Sequence, residues 1–263
     1  MTVSLIVTTY NSPKYLALAL KSVMLQERLP DEVIVADDGS GDETRELIER
    51  LKKEYPVPLI HVWQPDNGFR VCAIRNKAIE KATGDYIVQI DGDIIMHPKF
   101  ISDHVRSAKK GYFVAGIRTF ITEEYSNKLL KIENIDYKEI VKNCEHLTNA
   151  YRVPMLTPLF KYRRLRNKTT IRGCNMAYWR DDALKINGYN EDFTGWGFED
   201  CEFSIRLSNM GLKKLWLKFS AVAFHVYHVE NSRENKSINR KIMLKALKER
   251  VTYVPNGIKK GEH

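Results

Sequence analysis

Short β-branched apolar runs alternate with longer amphipathic stretches through the first 117 residues, the pattern of strand–helix–strand units that build a parallel sheet. Ser4 to Thr9 reads as a strand, and Pro13 to Gln26 as a helix capped by Asn11 or Ser12 with proline near its first turn. Glu32 to Ala36 is a second strand, and a turn from Asp37 to Asp42 leads into a helix from Glu43 to Glu54. Leu59 to Trp63, Cys72 to Ala82, Tyr86 to Ile90, Pro98 to Lys109 and Tyr112 to Ile117 continue the alternation. Polar clusters fall where the strands end: Thr8-Thr9-Tyr10, Asp37-Asp38, Gln64-Pro65-Asp66-Asn67 and Asp91-Gly92-Asp93. Open α/β sheets bind ligands outside the carboxyl ends of their strands, so these clusters are expected to converge on one edge.

The alternation weakens after residue 117. Glu123 to Cys144 is charged and reads as helical, Tyr151 to Pro154 as irregular. A long excursion from about 120 to 170 is the kind of segment that forms a lid or a binding insertion. Order returns with a strand from Gly173 to Trp179 and a short helix from Asp181 to Asn187, stopped by Gly188. A loop then leads to Thr194-Gly195-Trp196-Gly197-Phe198-Glu199-Asp200, the last two opening a helix whose inner face is Phe203, Leu207 and Met210. Ala221 to Asn231 runs from an apolar stretch into His225 and His228, and Ser237 to Val251 is a basic helix. These divisions predict one α/β domain in four parts: 1–117, 118–170, 171–231 and 232–263.

Composition narrows the classes. With 43% apolar and 29% charged residues the chain reads as globular, and no uncharged apolar stretch reaches the about 18 residues of a membrane span. The first residues, Met1 to Val7, lack a basic region and run straight into a strand, so they are not read as a signal peptide, and the cytoplasm is the default expectation. Cys72, Cys144, Cys174 and Cys201 form no close pair, which suggests neither a zinc site nor a disulfide framework. The net charge of +9 is uneven: Lys161, Arg163, Arg164, Arg166, Lys168 and Arg172 follow one another without an acid. A solvated loop and a patch for an anionic partner, an anionic membrane surface among them, explain that stretch equally.

Asp91 and Asp93 carry the candidate chemistry. Two apart on an extended segment, they would point into one crevice, with Gly92 letting the backbone come close. Hard oxygen ligands so spaced suit Mg²⁺ or Mn²⁺ carrying a diphosphate, although Asp-Gly-Asp alone is equally a strand-ending turn. Asp38 is placed to accept hydrogen bonds from a base, and Arg70 and Arg75 offer forked donors for phosphate or for orienting Asp38. His225 or His228 is positioned to complete a metal site begun by Asp93. Glu199 and Asp200 are explained by the helix dipole alone, but Trp196 between two glycines is a device for stacking on a sugar ring.

Taken together, Val7-Thr8-Thr9-Tyr10-Asn11, Ala36-Asp37-Asp38-Gly39-Ser40, Asn67-Gly68-Phe69-Arg70 with Arg75-Asn76, and Ile90-Asp91-Gly92-Asp93 resemble the family-2 glycosyltransferases of the nucleotide-diphosphosugar (GT-A) fold. Arg172-Gly173-Cys174-Asn175-Met176, Ile186-Asn187-Gly188-Tyr189 and Gly195-Trp196-Gly197-Phe198-Glu199-Asp200 are similar to the C-terminal region shared by β-1,4-galactosyltransferases and bacterial chondroitin-type polymerases. The resemblance implies a Rossmann-like mixed sheet flanked by helices and an inverting, UDP-sugar-dependent transferase acting on a glycan or lipid-linked glycan in bacterial surface polysaccharide synthesis. It implies that Thr8, Tyr10 and Asp38 bind the nucleoside, with Arg70 and Arg75 near uracil and phosphates. Asp91, Gly92 and Asp93 match the metal–diphosphate motif, Asp93 as direct ligand of Mn²⁺ or Mg²⁺, with His228 and His225 closing the metal site. Trp196, Glu199 and Asp200 match the acceptor segment, Asp200 as catalytic base. Phe198, where a glycine is common, and Cys201 depart from that pattern.

Two other classes of protein share parts of this pattern. A nucleotidyltransferase on a similar sheet would need a glycine-rich basic loop after the first strand, which is missing from this sequence. A nucleic-acid-binding module would need basic residues interleaved with aromatics on one face, whereas here acids fill the crevice, so no nucleic acid is expected as partner.

Overall fold

The computed structural model describes residues 1–162, 171–229 and 235–261. Its strands and helices are β1 (Val3–Thr9), α1 (Pro13–Met24), β2 (Glu32–Asp37), α2 (Asp42–Lys52), β3 (Leu59–Trp63), α3 (Val71–Lys81), β4 (Tyr86–Asp91), β5 (Ile94–Met96), α4 (Phe100–Ser107), β6 (Tyr112–Gly116) and β7 (Arg118–Phe120). Then come α5 (Glu123–Ile132), α6 (Tyr137–Lys142), α7 (Leu147–Ala150), α8 (Thr157–Lys161), β8 (Met176–Trp179), α9 (Arg180–Lys185), α10 (Glu199–Asn209), β9 (Lys213–Leu217), β10 (Ala223–His225) and α11 (Lys236–Lys248).

Seven strands form one sheet in the order β3-β2-β1-β4-β8-β6-β9. β1 to β4 are parallel, β8 runs antiparallel between β4 and β6, and β9 is parallel to β6. The chain builds outward from β1 to β3, then crosses back to lay β4 on the other side of β1. That reversal opens a crevice between β1 and β4, where Thr8 and Asp91 are register partners. β8 and β6 come from opposite sides of the 118–170 excursion, so one sheet runs through both halves of the chain.

Side chains alternate across β1: Leu5 and Val7 join a core with α1 and α2, while Ile6 faces α3 and α10 through Ile74, Ile79 and Phe203. Buried on both faces, β1 and β2 read as continuous apolar runs. A second, three-stranded sheet of order β5-β10-β7 covers a smaller core of Ile95, Ile121, Tyr125, Leu129, Ile140 and Phe224. The expected strand from Gly173 begins only at Met176, because Gly173–Asn175 forms a 3-10 turn held by the buried Asn175 amide, which donates to Ile117 O (2.7 Å) and Ala221 O (2.9 Å). Glu123 to Cys144 is two helices, α5 and α6, with the chain turning through Glu133 in the left-handed region. All four cysteines are free and buried.

Candidate active site

The crevice between β1 and β4 starts with a close backbone approach. Gly92 N donates to Thr8 O at 2.7 Å, and a Cβ at position 92 would meet that oxygen at 3.0 Å and the Thr9 side chain at 3.3 Å. A larger residue here would crowd β1 by a few tenths of an ångström, so the close approach favours glycine. The two aspartates nevertheless do not share a partner. β4 ends at Asp91 and residues 92 and 93 turn, so the alternation that would have aimed both carboxylates together is broken.

Asp91 faces Arg75, the hub of one half of the site. The buried guanidinium donates to Asp91 Oδ1 (3.0 Å), Asp200 Oδ1 (2.9 Å) and Thr8 Oγ1 (3.2 Å), with Glu199 Oε1 at 3.8 Å. Of the two roles the sequence offers it, phosphate donor or support of Asp38, the second is not seen: Arg75 bridges β1, β4 and the start of α10. It lies in the middle of α3, and burial alone would lower its pKa, but the charges of Asp200, Asp91 and Glu199 raise it well above the usual value. Asp200 is further held by Gly173 N, donating to Oδ2 at 2.8 Å, and by the Tyr189 hydroxyl at 3.3 Å from Oδ1. Gln89 Oε1 accepts from both Tyr178 and Tyr189 at 3.0 Å, so the single Tyr189 proton is shared between Gln89 and the more distant Asp200. Burial, with Asp200 beside it, pushes the Glu199 carboxyl up to about 7. Burial also raises Asp91, with Arg75 opposing and Asp93 and Asp200 reinforcing.

Asp93 faces the other way, into the second sheet. β10 pairs antiparallel with β5, so that Val226 N donates to Asp93 O at 2.9 Å and His225 lies alongside. His225 Nε2 stands 3.3 Å and His228 Nε2 3.0 Å from Asp93 Oδ2. One donor atom from each of the three residues falls within 4.8 Å of the others. Burial alone would raise the Asp93 carboxyl, but hydrogen bonds from both imidazoles hold it well below the usual range; the same bond raises His228. Asp93 Oδ1 and His225 Nδ1 are buried with no hydrogen-bond partner among the described residues.

At the ends of β2 and β3, Asp38 is held by Arg70 N (2.8 Å to Oδ2) and by Gln64 Nε2 (2.6 Å to Oδ1), and burial raises its pKa against both. Tyr10 is exposed and donates to Asp66 at 2.8 Å. The Arg70 side chain borders a groove of about 510 Å³, lined also by Asn67, Phe69, Phe193, Thr194 and Gly195. Across it the loop before α10 presents Trp196, 39% exposed, with Gly195, Gly197 and Phe198 all in the left-handed region at φ 68°, 113° and 71°. Phe198 therefore occupies a conformation that favours glycine.

Local patterning did not reveal Arg118, Gly173, Tyr189 and Gln89. Arg118, half-buried at the start of β7, donates to Cys174 Sγ at 3.3 Å; burial opposes its charge, while the nearby carboxylates of Asp91 and Asp93 favour it. A lone arginine inside the apolar run Tyr112 to Ile121 was the available signal. Burial pushes the Cys174 thiol up to about 12, so it is neutral. Of the basic stretch, Arg163, Arg164, Arg166 and Lys168 lie outside the described residues.

The fold has solved counterparts. Residues 1–349 of S. aureus TarS in complex with UDP-GlcNAc superpose with a TM-score of 0.64 at 18% identity, covering 92% of this chain and 65% of that one. A Pyrobaculum calidifontis mannosyltransferase in complex with GDP-Man and Mn²⁺ gives 0.62 at 19% identity, over 91% and 60%. A mixed sheet with helices on both faces and a polar crevice at its strand-order reversal is thus the GT-A architecture. The chain belongs to glycosyl transferase family 2, whose model matches residues 4–185, and a model described as the N-terminal domain of galactosyltransferase matches residues 156–232. Chondroitin synthase of Escherichia coli is 26% identical over 269 residues, 95% of this chain but 38% of that protein, so the chain spans well under half the length of this relative. No helix among the described residues is long and apolar enough to cross a membrane.

Proposed function

We propose that this protein transfers a hexose or N-acetylhexosamine from a UDP-sugar to a hydroxyl of a glycan or lipid-linked glycan acceptor, with inversion at the anomeric carbon, in the synthesis of a bacterial surface polysaccharide. The observation that carries the proposal is the pair of half-sites on the two sides of the Asp91-Gly92-Asp93 turn. A cation-holding cluster lies at Asp93, His225 and His228, and a carboxylate clamped for proton transfer lies at Asp200. The complex of S. aureus TarS with UDP-GlcNAc supports the donor class, and the mannosyltransferase complex supports a divalent ion.

A carboxylate and two imidazoles favour Mn²⁺ over the harder Mg²⁺, and the orphaned Asp93 Oδ1 and His225 Nδ1 fit such an ion. When bound, a divalent ion there would neutralise charge on the departing diphosphate. The other roles belong to the chain's own side chains. Asp38 accepts from the nucleobase, with Thr8 and Tyr10 on either side of the β1 end. Asp91, fixed by Arg75, orients the donor ribose or sugar. Trp196 stacks on the acceptor ring and Glu199 borders it. Asp200 takes the proton from the attacking hydroxyl as its oxygen closes on the anomeric carbon and the bond to UDP breaks. Arg75, Gly173 N and Tyr189 fix that carboxylate before the acceptor arrives.

The test is a panel of UDP-sugars incubated with the protein and Mn²⁺ or Mg²⁺, scored for UDP release before and after chelation. Release from at least one donor that chelator abolishes and added metal restores is the expected result. No release from any donor, or release indifferent to chelator, contradicts the proposal.

A further inference from the structure

The face built by residues 151–162 stands outside everything the transfer reaction uses. Met155 is 88% and Leu159 70% exposed, and Tyr151, Val153, Leu156 and Tyr162 are exposed with them. Met155, Leu159 and Tyr162 follow at intervals of four and three through consecutive helical turns, Pro154–Leu156 and α8, which puts them on one side. The opposite side is firmly seated. Thr157 is buried, its hydroxyl 3.0 Å from Lys218 O and 2.7 Å from Ser220 Oγ; Val153 N donates to Phe219 O at 2.9 Å, and Phe160 packs edge-on against Phe219 with centroids 5.5 Å apart. Arg152 anchors the segment to Asp103 through two bonds of 2.8 and 2.7 Å. The exposed apolar side chains are thus held outward by packing behind them.

The rim of this face is predominantly cationic. Lys218 lies over the rings of Phe160 and Phe219, at 5.4 and 5.1 Å from their centroids. Burial lowers the pKa of Lys161, and the cations Lys109 and Arg106 beside it lower it further. Asp103 is neutralised by Arg152 and Arg106. In sequence, no aspartate or glutamate occurs from His146 through Arg180. A predominantly cationic rim, its nearby Glu27 paired with Lys99 at 3.4 Å, around projecting Met, Leu and Tyr side chains complements a plane of anionic headgroups over an acyl layer. The basic helix α11, the other candidate from the sequence, instead packs Met243 and Ala246 into the core beside α10.

We infer that the face formed by Tyr151, Met155, Leu159 and Tyr162, with its rim of Arg106, Lys109, Lys161 and Lys218, docks on an anionic lipid surface. This inference does not depend on which sugar is transferred, or on whether one is. It is tested by co-sedimentation of the full chain, at low salt, with vesicles of phosphatidylcholine alone and of phosphatidylcholine containing about a third phosphatidylglycerol. Binding is expected on the mixed vesicles and not on phosphatidylcholine alone, and is expected to weaken as salt rises. The double variant Met155→Asp/Leu159→Asp alters only side chains already in solvent and is expected to keep the melting temperature of the parent while its binding falls at least about tenfold. Lys109→Glu/Lys161→Glu, with the apolar face intact, is expected to lose binding as well. Failure to bind the mixed vesicles overturns the inference, as does binding untouched by both double variants, or equal binding to phosphatidylcholine alone. A concentration-dependent dimer that the Met155→Asp/Leu159→Asp variant dissociates, without vesicle binding by the parent, would reassign the face to contact between copies of the chain.

Discussion

Replacing Gly173 by alanine is expected to disable Asp200 without altering it. A methyl group at 173 would stand 2.3 and 2.4 Å from the two Asp200 carboxylate oxygens and 2.5 Å from their carbon, about an ångström inside normal van der Waals contact. Asp200 is fixed by Gly173 N at 2.8 Å and by Arg75 at 2.9 Å, so relief comes by swinging the carboxylate off the backbone donor. The lost charge-assisted hydrogen bond sets a stability cost of about 1.5–3 kcal/mol, read from urea unfolding. Displacing the base by about 1 Å costs on the order of 100-fold in rate. Steady-state UDP release is thus expected to show kcat down by that factor, with the donor KM changed less than about threefold, because Asp38 and its partners are untouched. Gly41→Ala is the internal control, since its methyl group would meet only Asn11 Oδ1 at 4.0 Å. A folded Gly173→Ala variant with kcat within about twofold of the parent would refute the role given to Asp200.

Arg75→Met leaves Asp91, Asp200 and Glu199 around a buried site without their cation, and is expected to lower stability by about 3–5 kcal/mol in denaturant titration, with Arg75→Lys recovering only part. Glu199 links stability to pH. Its carboxyl moves from 4.5 to about 7 on folding, so the stability tied to its protonated form is complete below about 4.5, declines as pH rises through that window, and is gone above about 7. The parent should therefore lose roughly 3 kcal/mol relative to Glu199→Gln between those limits, and parallel pH–stability curves would contradict the assignment. His225→Ala and His228→Ala are each expected to weaken Mn²⁺ binding, followed by calorimetry, by more than about tenfold. Unchanged affinity in both would remove the imidazoles from the site.

The parallel half of the sheet was legible because strands buried on both faces read as unbroken apolar runs, and their polar ends follow from topology. β5, β7 and β10 were not: each is three residues long, too short for any period to show. That small sheet is nevertheless what brings His225 beside Asp93, a pairing that no local pattern displays. Asp91 and Asp93 take different hydrogen-bond partners because the strand ends between them, while both carboxylates still lie near Arg118. Arg75 lies in the middle of a helix, 125 residues from Asp200, and no local pattern marks a side chain that serves three distant carboxylates. Phe198 is the reverse case, a residue whose departure from the pattern of the resemblance is matched by a positive φ.

Asp200→Asn keeps the size of the side chain at the centre of this site and removes only its ability to take a proton. Measured beside the parent with the same donor and Mn²⁺, the variant should bind UDP with a Kd within about threefold of the parent and release UDP about 100- to 10,000-fold more slowly. Full turnover by Asp200→Asn would contradict the mechanism.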